Sequence, residues 1–246
     1  GDLILLQDQV RNAYDAQTGE YDFNPMFEYA RKYLQQSDLA IGIFEGPMAG
    51  ETAGYTTSNF DDGIPLYLNF PDTFAKAVKE SGIDLVSTAN NHLLDNGEKG
   101  ALCTLDVLDD IGLAHVGSWR NEAEKAAIPI IEVKGIRIAF LAYTFGSNYT
   151  TESYFLIQNP SITSILTSPE SPSFEQVKAA VLADFEKIRA MDAPPDLIAV
   201  IPRPVRVGRI SIAGARSDGT AHPPSFQRKL ESSPAVAGAT RSEERR

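Results

Sequence analysis

The chain has 246 residues, is 43% hydrophobic and carries a formal net charge of −11 at pH 7. That length and apolar content suffice for one large domain or two small ones, and they exclude a disordered composition. No apolar run approaches the ~18–20 residues of a membrane span, and a single cysteine, Cys103, excludes an internal disulfide and a cysteine-based metal site. The charge is uneven. Residues 203–246 hold eight Arg, one Lys and four acids, a net +5, which leaves residues 1–202 at −16. So acidic a body argues against nucleic acid as a partner, because phosphate binding needs clustered Lys and Arg. The acids form a solvated surface in the ordinary case, and they could also bias the protein toward metal ions.

The first strand is read from Asp2 to Leu6. Because a core strand begins at Gly1 with no Met before it, a signal peptide or membrane anchor would lie upstream. After a polar loop, Asn24-Pro25 should open a helix, Asn as N-cap and Pro in the first turn. Met26, Phe27, Ala30, Tyr33 and Leu34 follow at helical spacing. Leu39–Phe44 is a continuous apolar run, the pattern of a strand covered on both faces. A loop rich in Gly, Thr and Asp spans 46–65, and a helix from Pro71-Asp72 is stopped by Gly82. Ile83–Thr88 is a third strand, running straight into Ala89-Asn90-Asn91-His92. A helix carrying Leu102, Leu105, Leu108 and Ile111 should bury Cys103 as an inert thiol, and a short strand at His115-Val116-Gly117 comes next.

Ile128–Val133 and Ile136–Tyr143 read as a hairpin turning at Lys134-Gly135. Residues 146–172 read as irregular. A long helix bears Phe174, Val177, Val181, Phe185 and Ile188, and Asp196–Ile201 is the last strand. The alternation implies an α/β domain over 1–201, a mixed sheet with helices on both faces. Beyond it, the style changes: residues 1–202 hold five Arg and residues 203–246 hold eight. Arg206–Ile212 has strand character but nothing after it to pair with. Residues 202–246 are expected to be a basic, disordered tail outside the domain, read as the product of a frameshift or insertion near codon 202, with a natural disordered basic tail as the ordinary alternative.

Chemistry should gather at the carboxyl ends of the strands. Asn90, Asn91 and His92 stand at one such end, with Asp95 on the same turn; a polar turn in which an Asn bonds its own backbone is the ordinary alternative. Asp2 and Glu45 lie near the ends of two other apolar strands. Three strands ending in Asp, Glu and Asn-His favour a convergent site, and its oxygen-rich donors suit a hard divalent ion.

Several segments together resemble the poly-γ-glutamate capsule-synthesis proteins, the CapA family, which are similar in fold to calcineurin-like metallophosphoesterases. They are Gly1-Asp2-Leu3, Tyr21–Phe27, Ser37–Gly42 leading to Glu45-Gly46-Pro47, Asn69 with Pro71, Thr88–His92 with Asp95, Gly97 and Gly100, and Gly135–Thr144 with Gly146 and Asn148. The resemblance covers residues 1–201. It implies a metallophosphoesterase-like αββα sandwich with mixed sheets, incomplete at its C-terminus. It implies Asp2, Glu45 and Asn91 as ligands of a divalent metal (Mn, Zn, Fe or Mg), and His92 as catalytic proton donor. Asn69, Asn90 and Asp95 would be supporting residues. The partner would be poly-γ-glutamate or cell-envelope polymer machinery. The protein would be extracytoplasmic or membrane-associated, held only through an anchor upstream of this chain.

The departures are as informative. Leu6 stands where family members often have His, and Ile43-Phe44-Glu45 lacks the usual Asn. Pro202-Arg203-Pro204 replaces a His-Trp-Gly-type motif, and His222-Pro223-Pro224 only echoes the final histidine motif. His115 reads as structural. These departures set a divalent-metal-dependent hydrolase-like enzyme against a non-catalytic accessory component of a membrane polymer-synthase complex, or an inactive fragment.

Overall fold

The computed structural model describes residues 1–60, 62–148, 150–152, 154–158 and 162–203, and the backbone of 211–214. In chain order the elements are β1 (Asp2–Leu3), α1 (Gln7–Ala13), β2 (Tyr14–Asp15), β3 (Glu20–Tyr21), α2 (Glu28–Leu34), β4 (Ile41–Phe44), α3 (Asp72–Glu80), β5 (Leu85–Ser87), α4 (Gly97–Asp110), β6 (Ala114–Val116), α5 (Glu122–Ala126), β7 (Ile130–Val133), β8 (Ile136–Thr144), α6 (Phe174–Arg189), β9 (Leu197–Arg203) and β10 (Ser211–Gly214). One sheet is wholly parallel, in the order β1-β4-β5-β6; the other is mixed, in the order β10-β9-β8-β7, and β2-β3 is a separate small hairpin.

The two sheets pack face to face because alternate side chains along each strand are apolar on both sides. Phe140 and Ala142 of β8 and Ala199 and Ile201 of β9 meet Leu85, Val116, Ile41 and Ile43 between the sheets. The intervening residues point outward: Ala139, Leu141, Tyr143 and Ile198 pack under Val181, Phe185 and Ile188 of α6. On the far side of the parallel sheet, Phe44 and Val86 lie under Phe74 and Val78 of α3 and Leu108 of α4. The layers are therefore helix, sheet, sheet, helix, the αββα sandwich that the resemblance implies, with two sheets in place of the single mixed sheet read from the alternation. At the centre of the first helical layer, the Phe74 ring lies with Phe23, Phe44 and Phe70 at centroid distances of 5.4, 5.6 and 5.5 Å.

The hairpin turns where expected. Lys134 and Gly135 both take positive φ, 51° and 81°, the two-residue geometry whose twist matches paired strands. Gly117, at the end of β6, has φ 109° and lies so close to Ala89 that a Cβ there would come within 2.9 Å of the Ala89 nitrogen.

Several expectations are corrected. β1 ends at Leu3, and the chain turns into α1, where Leu6 N–H donates to Gln9 Oε1 at 2.8 Å. Asn24 is not an N-cap: it begins a 3₁₀ turn, Asn24–Phe27, and its side chain accepts from Arg31 and donates to Glu80. Cys103 is half-buried rather than buried. The stretch read as irregular contains a π-helical turn, Tyr154–Gln158, and the short helix α5 precedes β7 with Asn121 accepting from the Ala123 and Glu124 amides. Finally, β9 runs two residues beyond Ile201, and β10 pairs antiparallel with it, Ser211 opposite Val200. Among the described residues Pro202 pairs only with Tyr143 of β8, since the described β10 pairing ends at Val200. Residues 204–210 and 215–246, including His222, lie outside the described residues.

Candidate functional site

The carboxyl ends of β1, β4, β5 and β9 converge on one rim of the sandwich. Parity dictates which side chains meet there. Ile41 and Ile43 of β4 face the second sheet, so Glu45, two residues on, faces it too; Ala199 and Ile201 of β9 face the first sheet, and so does Arg203. Asp2 stands beside them on β1, which pairs with β4. Arg203 Nη1 donates to Asp2 Oδ1 at 2.8 Å, and Nη2 donates to Glu45 Oε1. The Glu45 side chain is only 7% exposed. Burial raises its carboxyl above the ordinary carboxylate value, and Arg203 opposes that rise. Burial lowers the guanidinium in turn, but its bonds to Asp2 and Glu45 outweigh this and hold it above its usual value.

The loop after β5 carries the second half of the site. Asn90 is buried and acts as a brace: its Nδ2 donates to the carbonyls of Phe44 (2.8 Å) and Thr88 (3.0 Å), and its Oδ1 accepts the His92 N–H at 2.9 Å. It thereby fixes the end of β4, where Glu45 begins, to the turn bearing His92. His92 Nδ1 lies 2.7 Å from Asp95 Oδ2, with both side chains buried. An Nδ1–H donated to that carboxylate leaves Nε2 as acceptor, and Asn148 Nδ2 lies 3.3 Å from it. Asp95 Oδ2 also accepts the Leu68 N–H at 2.7 Å. Burial raises the Asp95 carboxyl above its ordinary value, with His92 and Leu68 opposing. Asn91 donates through Nδ2 to Asn148 Oδ1 at 3.2 Å, and its carbonyl accepts the Asn148 N–H at 3.0 Å.

Asn69 stands apart from these groups. Its side chain accepts from Ala49 N and donates to Gly50 O and Gly54 O, which organises the loop between β4 and α3. His115 pairs with Asp109 at 3.1 Å on the opposite side of β6, consistent with a structural role. The structure thus brings Asp2 and Glu45 together, and links Asn90, Asn91, His92 and Asp95 in a second network. Two participants were not singled out from sequence as site residues: Arg203, for which the strand parity of β9 was the available signal, and Asn148, whose approach is set by the loop after β8.

As arranged, these side chains do not fit a divalent metal. The two carboxylates are joined by a guanidinium, the imidazole spends Nδ1 on Asp95, and the Asn91 amide donates through Nδ2 to Asn148. Among the described residues no group of three or more His, Cys, Asp or Glu could hold a metal ion. No described helix is long and apolar enough to cross a membrane.

Known proteins are similar to this chain in sequence. The capsule biosynthesis protein CapA of Bacillus anthracis is 31% identical over 125 residues, 50% of this chain and 29% of that protein. The PGA biosynthesis protein CapA of Bacillus subtilis (strain 168) is 27% identical over 120 residues, 48% of this chain and 30% of that protein. An uncharacterized protein of Sinorhizobium fredii (strain NBRC 101917 / NGR234) is 26% identical over 119 residues, 48% of this chain and 26% of that protein. The matched stretch thus spans less than a third of each of these relatives. Residues 1–203 match the bacterial capsule synthesis protein PGA_cap family, and the chain belongs to that family.

Proposed function

We propose that this chain serves capsule or poly-γ-glutamate biosynthesis at the cell envelope, as a non-catalytic accessory component of a membrane-bound polymer synthase. One observation carries the choice: each side chain that metal-assisted hydrolysis would use is already bonded to another group of the chain. Asp2 and Glu45 are spent on Arg203, His92 on Asp95 and Asn148, and Asn91 on Asn148. A buried charge-assisted bond such as Glu45 to Arg203 is worth about 1.5–3 kcal/mol and a neutral amide bond about 0.5–1.5 kcal/mol, so recruiting these groups carries a cost before chemistry begins. The names of the two CapA relatives support the process, and an envelope location goes with it.

A second reading, a divalent-metal-dependent hydrolase-like enzyme, is favoured by the buried 2.7 Å bond between His92 and Asp95, the pairing that orients an imidazole for proton transfer. One experiment separates the two. The tagged chain and its His92→Ala variant are used to capture synthase membrane proteins from envelope extracts. Both are also assayed with Mn²⁺ on phosphoester and γ-glutamyl substrates. The accessory role predicts that both capture the synthase and that neither hydrolyses. Hydrolysis lost on His92→Ala, with no synthase captured, would reject it in favour of the enzyme.

A further inference from the structure

We propose that Arg203 is the resident cation of this rim: its guanidinium takes the place between Asp2 and Glu45 that a divalent ion would otherwise take, and it fastens the two sheets together there. The inference deepens the accessory reading and rests on the same commitment of the site, but the two fail independently, because metal uptake and capture of the synthase are separate measurements.

The Glu45 arm is a buried pair, whereas Asp2, 41% exposed, closes the fork from the solvent side. Arg203 is the last residue of β9 in the mixed sheet, whereas Asp2 and Glu45 belong to the ends of β1 and β4 in the parallel sheet. The planar fork spans the gap, one terminal nitrogen to each carboxylate. An ammonium, a point charge, lacks the planar fork that assigns one nitrogen to each acid. The side chains of Glu45 and Arg203 are 7% and 24% exposed, so Glu45 in particular depends on a cation to offset its lost hydration. Charge counting gives the same picture. Two carboxylates against one guanidinium leave one negative charge, small enough for the surrounding dipoles. Without Arg203 the pair would carry two negative charges at close range and would demand a cation from solution.

Backbone parity makes this a property of the fold. Residues 199, 201 and 203 share the face of β9 that looks at the parallel sheet, so any side chain at 203 enters this rim. Arginine reaches both acids; an apolar side chain of similar length would leave them facing each other.

The test uses the full chain with Mn²⁺ as the probe. Wild type, Arg203→Met and the double variant Arg203→Met/Glu45→Gln are titrated by calorimetry and melted with and without the ion. The wild type should take up no stoichiometric Mn²⁺ and melt at the same temperature in its presence. Arg203→Met should melt lower, should bind Mn²⁺ at least about tenfold more tightly than wild type, and should recover its melting temperature when the ion is added. The double variant should lose that recovery. A wild type that binds Mn²⁺ as tightly as Arg203→Met overturns the proposal, and so does an Arg203→Met that melts with the wild type and takes up no ion. If the Met variant does not fold, Arg203→Lys decides. A lysine variant that melts below wild type, with a wild type indifferent to Mn²⁺, upholds the proposal. A lysine variant that melts with wild type, or a wild type stabilised by Mn²⁺, refutes it.

Discussion

Replacing Asn90 tests whether the loop after β5 is a structural keystone or an ordinary solvated turn. The side chain is 1% exposed and makes three hydrogen bonds: two donated to Phe44 O and Thr88 O, and one accepted from His92 N–H. Asn90→Ala removes all three and leaves two carbonyls and one amide facing a small void. A buried group stripped of its partner costs about 1–3 kcal/mol, and the three share one site into which a water could partly settle, so a total of about 3 kcal/mol is the reasonable expectation. For a domain of this size, about 2–4 °C per kcal/mol translates this into a fall of about 6–12 °C in melting temperature. Asn90→Asp is the sharper control. It keeps the volume and the acceptor for His92, but sets a carboxylate against two carbonyl oxygens, and should be at least as damaging as alanine. Both are read by circular dichroism melts and urea unfolding at neutral pH. If both variants melt within about 2 °C of wild type, the bracing argument is wrong, and the loop bonds to water as readily as to β4.

Two further perturbations probe the layers on either side. Phe74→Ala opens a hole among Phe23, Phe44 and Phe70 and should cost about 3–5 kcal/mol in urea unfolding; a loss below about 1.5 kcal/mol would mean that α3 collapses into the gap and that this cluster is not tightly packed. Tyr143 donates to Asp184 Oδ2 at 2.8 Å, and burial, aided by the Asp184 charge, raises its phenol far above the usual value. An unfolded tyrosine releases its proton near pH 10, whereas folded Tyr143 keeps it, so the folded state holds more protons and stability must fall as pH rises above about 10. Below that value the bond contributes in full. Tyr143→Phe should therefore be less stable than wild type at pH 8 and should show a shallower decline between pH 9 and about 11; equal slopes for the two proteins would remove Tyr143 as the source.

How far the sequence discloses the fold depends on whether the deciding interaction is local. The hairpin at Lys134-Gly135 and the alternation in β8 are local patterns, and they appear where expected. The polar turn Asn90-Asn91-His92 also sits where its strand predicts, at the end of β5, since a strand of small apolar residues running into amides fixes both. The helix α1 was hidden because Leu3–Leu6 continues the apolar run of a strand, although Gln9, which accepts the Leu6 N–H, is itself a helix-start signal. Asn121 before Glu122 and Glu124 is a comparable signal for α5. Asn69 could not be told from a site residue, because its partners at 49, 50 and 54 lie on a loop whose path is set by tertiary packing.

Arg203 shows the other limit. Read against a motif, Pro202-Arg203-Pro204 is a loss, because it stands where histidines are awaited. Read against the pleat, the same residue has only one place to go. Ile201 faces the parallel sheet, Pro202 faces away, and residue 203 must turn back toward Asp2 and Glu45. The two acids are what the motif comparison singles out as ligands, and a long basic side chain is aimed at them by strand periodicity alone. The pairing was therefore within reach of the sequence once the strand was continued past Ile201. What concealed it was ending the domain at the last apolar residue, although a strand keeps its parity through the polar residues at its end. The acid pair, the parity and the guanidinium fork together hold this rim, and Arg203→Met is the change that should undo it.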